Sequence, residues 1–125
     1  MTKREGEITI QTLAMPADTN ANGDIFGGWL LAQMDLASGI LAKKHSKGRI
    51  VTVAIHSMSF MRPVKVGNVV TCYAKLLKQG RSSMDIQIDV WVTHHLDNDA
   101  HQVTTGLFVC VAIDETGKPR TIEAS

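Results

Sequence analysis

The chain lacks an excess of either charge. Thirteen Lys and Arg stand against twelve Asp and Glu, leaving a net charge of +1. Without a basic surplus there is no footprint for a polyanion, so no nucleic-acid partner is expected. No apolar run is long enough to cross a bilayer, so no membrane partner is expected either. The N-terminus, M-T-K-R-E-G-E, has charge but no apolar segment behind it, and does not read as a signal peptide. Cysteine is scarce: Cys72 and Cys110 only, both inside predicted strands. They read as reduced core thiols, and the cytoplasm is the expected compartment. No Cys/His/carboxylate set has zinc-ligand spacing, so no metal is expected. No G-x-S-x-G elbow is present, which excludes the usual serine-hydrolase arrangement. G-G-W-L-L is neither a Rossmann nor a P-loop fingerprint.

What is present is an ordinary globular composition, 44% hydrophobic and 20% charged over 125 residues. That length suits one domain, residues 1–125, with one modest core. A small core leaves little room for a deep internal cavity, so a sizeable ligand is expected between subunits.

Residues 7–14 alternate weakly and predict a first strand. A loop over 15–23 follows, rich in Pro, Asp, Asn and Gly. Asp24 is the expected N-cap of a helix running to about His45. Lys43, Lys44 and His45 crowd its last turn, where positive charge suits the macrodipole. After Gly48 the period becomes two. Strands are predicted over Ile50–Arg62, Val69–Lys78, Ser83–His94 and Gln102–Ile113. In the third of these, Met84, Ile86, Ile88, Val90 and Val92 alternate with polar or amphipathic residues, as one buried face requires. Short connections argue antiparallel pairing. Phe26, Trp29, Leu30, Leu31, Met34, Leu36, Ile40 and Leu41 leave the helix with no broad polar face, so it should be buried on most sides. The class is α+β, with a curved sheet around one helix.

Residues 16–35, P-A-D-T-N-A-N-G-D-I-F-G-G-W-L-L-A-Q-M-D, place a polar loop, a Gly-Gly pair and one carboxylate in sequence. Asp35 shares a side of the helix with Leu31, Ser38 and Ala42. A carboxylate there is costly unless it is paired or functional, and both readings stay open from periodicity alone. Gly27 and Gly28 offer amides in or beside the first turn, where intrahelical acceptors are missing. Such amides suit a developing oxyanion; close packing of the helix start is the other use of glycine. Asn20 reads as a turn cap, and Asp18, Asn22 and Asp24 as turn and cap residues. Gly80-Arg81-Ser82-Ser83 joins two strands, as a polar hairpin or a small phosphate-binding set.

The segment F-G-G-W-L-L-A-Q-M-D and the order of elements resemble the hot-dog fold, in its acyl-CoA thioesterase branch. The run A-M-P-A-D-T-N-A-N-G-D-I-F-G-G-W resembles the YciA-type thioesterases. The likeness continues through R-I-V-T-V-A-I-H-S-M-S-F, V-G-N-V-V-T-C-Y-A, G-R-S-S and V-W-V, nearly the whole chain. It implies five to six antiparallel strands wrapped round a central helix. It implies a homodimer with active sites at the interface, assembled as a trimer of dimers, and hydrolysis of acyl-CoA without metal or organic cofactor. The aligned Asp35 is then the catalytic carboxylate, as general base or nucleophile. Asn20 faces it from the other subunit. Gly28, more than Gly27, donates to the oxyanion. Gly80, Arg81, Ser82 and Ser83 contact the nucleotide end of CoA, with Arg49 and Arg62 adding charge. Val51, Thr52 and Val53 lie beside the pantetheine arm. Phe26, Trp29, Leu30, Met34, Met58 and Phe60 are candidate liners of the acyl pocket, and Met61 a further adaptable wall.

The histidines form no evident site. His94-His95 falls at a strand end, His101 in a polar loop, His45 at the helix C-terminus, and His56 among apolar neighbours in core or interface. Two other functions remain in view. A hot-dog hydratase or dehydratase would call for a catalytic His with an acid partner. A non-enzymatic acyl-CoA sensor would call for a DNA-binding segment, and no helix-turn-helix pattern or basic extension is present.

Overall fold

The computed structural model describes residues 5–94 and 100–122; His95 lies outside them. Five strands and one long helix follow the predicted order: β1 (Glu7–Leu13), a 3-10 turn (Pro16–Asp18), α1 (Gly27–Ser46), β2 (Ile50–Phe60), β3 (Asn68–Gln79), β4 (Ser83–His94) and β5 (His101–Ala112). Every pairing is antiparallel, in the spatial order β1-β3-β4-β5-β2. The helix touches all five strands, so the sheet curls about it. This is the hot-dog architecture, α+β in class. No helix among the described residues is long and apolar enough to cross a membrane.

The alternation in β4 explains the layer. Met84, Ile86, Ile88 and Val90 are fully buried, and Val92 almost so. They face Met34, Ala37 and Ala42 of the helix and Phe108 and Cys110 of β5, all fully buried in one cluster. Small residues on this helix side allow close approach of backbone to sheet. Gly106 does the same from β5: a Cβ there would meet Met58 Cε at 2.9 Å and Met34 Cε at 3.3 Å. Met34, a pocket liner or plain core by its sequence position, is fully buried in the core.

The expected cap at Asp24 is not observed. The helix begins three residues later, with Phe26 as N-cap and no side-chain cap. An antiparallel bridge between Thr19 and Ile25 holds the chain extended until then. The Asp24 carboxylate turns instead to the Lys65 ammonium. His101 opens β5 opposite Val92 rather than lying in a loop. His56 is exposed on β2.

The apolar helix is not covered on every side. Leu36 is 59% exposed and Ile40 46%. Beside them β2 is a sheet edge, paired on one side only, to β5. Its Val51, Val53, Ile55 and Phe60 are exposed. Two irregularities interrupt β2, between Thr52 and Ala54 and between His56 and Ser59. The second holds Ser57 at φ 54°, a left-handed conformation rare outside glycine.

Candidate active site

Asp35 sits mid-helix, exposed within one chain, at the mouth of a groove of about 490 Å³ between α1 and β2. Leu36, Gly39, Ile40 and Lys43 form the helix wall; Ile50, Val51 and Thr52 form the strand wall. Of the neighbours expected on the wheel, Ser38 and Ala42 turn into the core.

The carboxylate is held. Thr52 Oγ1 donates to Asp35 Oδ1 at 2.7 Å. Ser38 Oγ donates to the Asp35 backbone carbonyl at 2.9 Å. Cys110 Sγ lies between these two hydroxyls, at 3.8 Å from Thr52 and 3.9 Å from Ser38. Burial raises the Cys110 pKa, the hydrogen bonds to Thr52 and Ser38 lower it, and the Asp35 charge raises it. A neutral thiol beneath an anchored carboxylate results. The Thr52–Asp35 pair has no local signature in the sequence, because its members stand seventeen residues apart on different elements.

Asn20, Gly27 and Gly28 lie elsewhere. Asn20 and Gly27 line a second groove, of about 370 Å³, with Asp24, Ile25, Leu30, Phe60, Met61, Arg62, Pro63 and Val64. The Asn20 side-chain oxygen accepts from the amides of Asn22, at 2.9 Å, and Asp24, at 3.2 Å. The turn-cap role is thus real for Oδ1, which leaves the amide NH2 as the group for other work. Gly27 and Gly28 are the first two helical residues, and the next two amides, of Trp29 and Leu30, already return to the Phe26 carbonyl. Both glycines are exposed. A Cβ on Gly27 would meet the Phe60 ring at 3.6 Å, an ordinary contact.

Gly27 and Asp35 are eight residues apart, about 12 Å along the axis. One carbonyl cannot touch both within a single chain. Within one chain these residues form two separate half-sites, at the two ends of the same helix–strand seam.

Gly80–Ser83 forms the β3–β4 hairpin, closed by the Gly80 amide on the Ser83 carbonyl at 2.9 Å. Arg81 Nε donates to Thr121 Oγ1 at 3.0 Å, and the Ile122 amide to the Arg81 carbonyl. Ser83, Val111 and Val51 stand in one row across β4, β5 and β2. The hairpin is thus two strand spacings, about 10 Å, from the edge strand and outside the Asp35 groove. Arg62 lies in the second groove; Arg49 donates to the Glu115 carbonyl. Leu30, Phe60 and Met61 line the second groove, while Trp29 and Met58 are packed against the core and Phe26 is exposed. Among the described residues no cluster of His, Cys, Asp or Glu could hold a metal.

A sheet curled on one helix, a carboxylate two turns into it and open amides at its start define a hot-dog enzyme class. The chain belongs to the thioesterase superfamily, whose family model matches residues 22–96. It is 52% identical over 121 residues to the acyl-CoA thioester hydrolase YciA of Salmonella typhimurium, covering 94% of this chain and 91% of the relative. It superposes on a hexameric thioesterase, y2039 of Yersinia pestis, with TM-score 0.94 and 50% identity, covering 98% of this chain and all of the other. A similar match, TM-score 0.94 at 48% identity over 97% of this chain and 89% of the other, is to HI0827, described as a hexameric broad-specificity acyl-coenzyme A thioesterase.

Proposed function

We infer that the chain is an acyl-CoA thioester hydrolase of broad acyl range, releasing CoA and a carboxylic acid. The observation that carries this is the anchored carboxylate of Asp35, opening on a groove beside a free strand edge. Identity near 50% to hydrolases of that name supports it.

The two half-sites argue for assembly. Antiparallel docking of two β2 edges brings each Asp35 groove toward the other protomer's Asn20–Gly27 groove. The exposed Leu36, Ile40, Val51, Val53 and Ile55 supply the apolar contact. In this dimer the partner's Asn20 and its Gly27 and Gly28 amides face Asp35. The related thioesterases are hexameric, and a trimer of dimers is the proposed assembly.

In mechanism, Thr52 fixes one carboxylate oxygen, so the other is aimed at water or at the thioester carbon. The Gly28 amide of the partner, at a helix start, takes the negative charge that develops on the carbonyl oxygen. The Asn20 NH2 orients water or the carbonyl. Val51, Thr52 and Val53 are assigned to the pantetheine arm. Gly80, Arg81, Ser82 and Ser83 are assigned the nucleotide end. The acyl chain lies against Leu30, Phe60 and Met61. No metal or organic cofactor enters, and the reduced thiols fit the cytoplasm.

A thiol-release screen over short, medium and long acyl-CoAs tests the reading. Asp35→Ala and Asp35→Asn should each lower kcat by about a hundredfold or more. Rates near wild type in either variant would sink it. A single turnover in heavy-oxygen water separates the routes, because label in Asp35 marks direct attack.

A further inference from the structure

We propose that Lys43 is the residue that holds the pyrophosphate of the CoA substrate, at the far end of the Asp35 groove. This rests on the acyl-CoA reading above and adds a binding residue to it.

Lys43 is eight residues beyond Asp35, on the same helix wall. The axial separation is about 12 Å, too far for the ammonium to pair with that carboxylate. Thr52 already occupies the near oxygen of Asp35. Among the described residues no ion pair or hydrogen bond reaches the Lys43 ammonium. Lys44, Lys65 and Lys75, in contrast, each meet a carboxylate. Among the described residues Asp35 is the one acidic side chain that lines the groove. The far end of the groove is therefore positive and unspent.

The ground between the two charges is low and apolar. Gly39 lies midway, where a Cβ would meet only Ile50 Cδ1, at 3.7 Å. Leu36, Ile40 and Ile50 rise on its flanks. A slender chain ending in an anion matches this trough. Pantetheine is about four residue-lengths long, roughly 14 Å extended, with a pyrophosphate at its end. The flexible lysine stem covers the difference between 12 and 14 Å. A fatty acyl chain brings no anion to Lys43, and the second groove, with Phe60 and Met61, suits it better. In sequence Lys43 marks the last turn of the helix; its place in the groove is a tertiary fact.

The test is steady-state kinetics on one acyl group carried by three leaving groups: CoA, dephospho-CoA and N-acetylcysteamine. Lys43→Ala should raise KM about tenfold for the CoA and dephospho-CoA thioesters, both of which keep the pyrophosphate, with kcat little changed. On the N-acetylcysteamine thioester, which has no phosphate, kcat/KM should stay within twofold of wild type. Lys43→Arg should recover most of the CoA affinity, and raising ionic strength should narrow the gap between wild type and Lys43→Ala. Equal loss on all three substrates would overturn the proposal, since it signals a structural role. So would an effect that vanishes on dephospho-CoA, or one confined to acyl groups with a terminal carboxylate. A wild-type enzyme inert on every acyl-CoA would instead sink the parent reading. Alanine favours helix, so the variant is expected to fold.

Discussion

The hydroxyl of Thr52, on the edge strand, donates to Asp35 Oδ1, on the helix, at 2.7 Å. One short contact thus ties the two walls of the groove and holds the carboxylate that lines it. A hydrogen bond to a charged group contributes about 1.5–3 kcal/mol. Thr52→Val, which keeps the shape and removes the donor, should lower kcat about tenfold or more with KM little altered. Thr52→Ser should restore most of the rate. Saturation kinetics on one acyl-CoA decides this, and an unchanged kcat in Thr52→Val would separate Thr52 from the chemistry.

Gly27 should show a conflict between stability and activity. Its added Cβ would meet only the Phe60 ring, at 3.6 Å, and it lies at the first helical position. Gly27→Ala is therefore expected to stabilise the fold by about 0.4–1 kcal/mol, mostly by restricting the unfolded chain. The same methyl narrows the second groove beside the amides proposed to meet the thioester. Urea unfolding and kcat measured on one preparation should move in opposite directions.

Stability should fall at high pH through the cysteines. Burial pushes the Cys72 thiol up from 9.0 to about 12, and the Cys110 thiol moves in the same direction. A raised folded-state pKa means the unfolded chain loses its proton first. The stabilising term is complete below pH 9 and is lost as pH rises toward 12. The urea midpoint should decline across that window, and Cys72→Ala should flatten the decline. Neither thiol should react with a thiol reagent in the native protein at neutral pH.

Arg120 closes the far end of the helix. Its guanidinium donates to the Ser46 carbonyl at 3.1 Å, the Ser46 hydroxyl at 3.2 Å and the Ile113 carbonyl at 3.0 Å. Ser46 is buried, so its carbonyl has little access to water. Arg120→Ala should cost about 1–3 kcal/mol in urea unfolding, with kcat/KM per folded molecule unchanged. Lysine should rescue little, because one ammonium cannot span the same fork of acceptors.

How much of this was legible depends on the range of the interaction. The bounds of β4, Ser83–His94, follow from strict alternation, since one face meets the core along its whole length. The helix C-terminus fell within a residue of expectation because Lys43, Lys44 and His45 mark it locally. Its start did not. Asp24 has the composition of a cap, but the Thr19–Ile25 bridge and the Lys65 partner, forty-one residues away, claim that stretch first. The site divides along the same line. Asp35, Asn20 and the glycines could be singled out from one continuous segment and its family likeness. Their separation into two grooves, the Thr52 anchor and the place of Lys43 are products of tertiary folding, and no local spacing encodes them.

The two breaks in β2 reach beyond geometry. An open, apolar strand margin ordinarily invites any passing chain to zip onto it. Here the ladder is interrupted at Val53 and again near Ser57, so a smooth foreign strand would lose register twice. A second copy with matching kinks is the natural mate. In the proposed pairing these kinks steer the molecule toward closed pairs and away from endless fibrils, while the seam stays available to its mate.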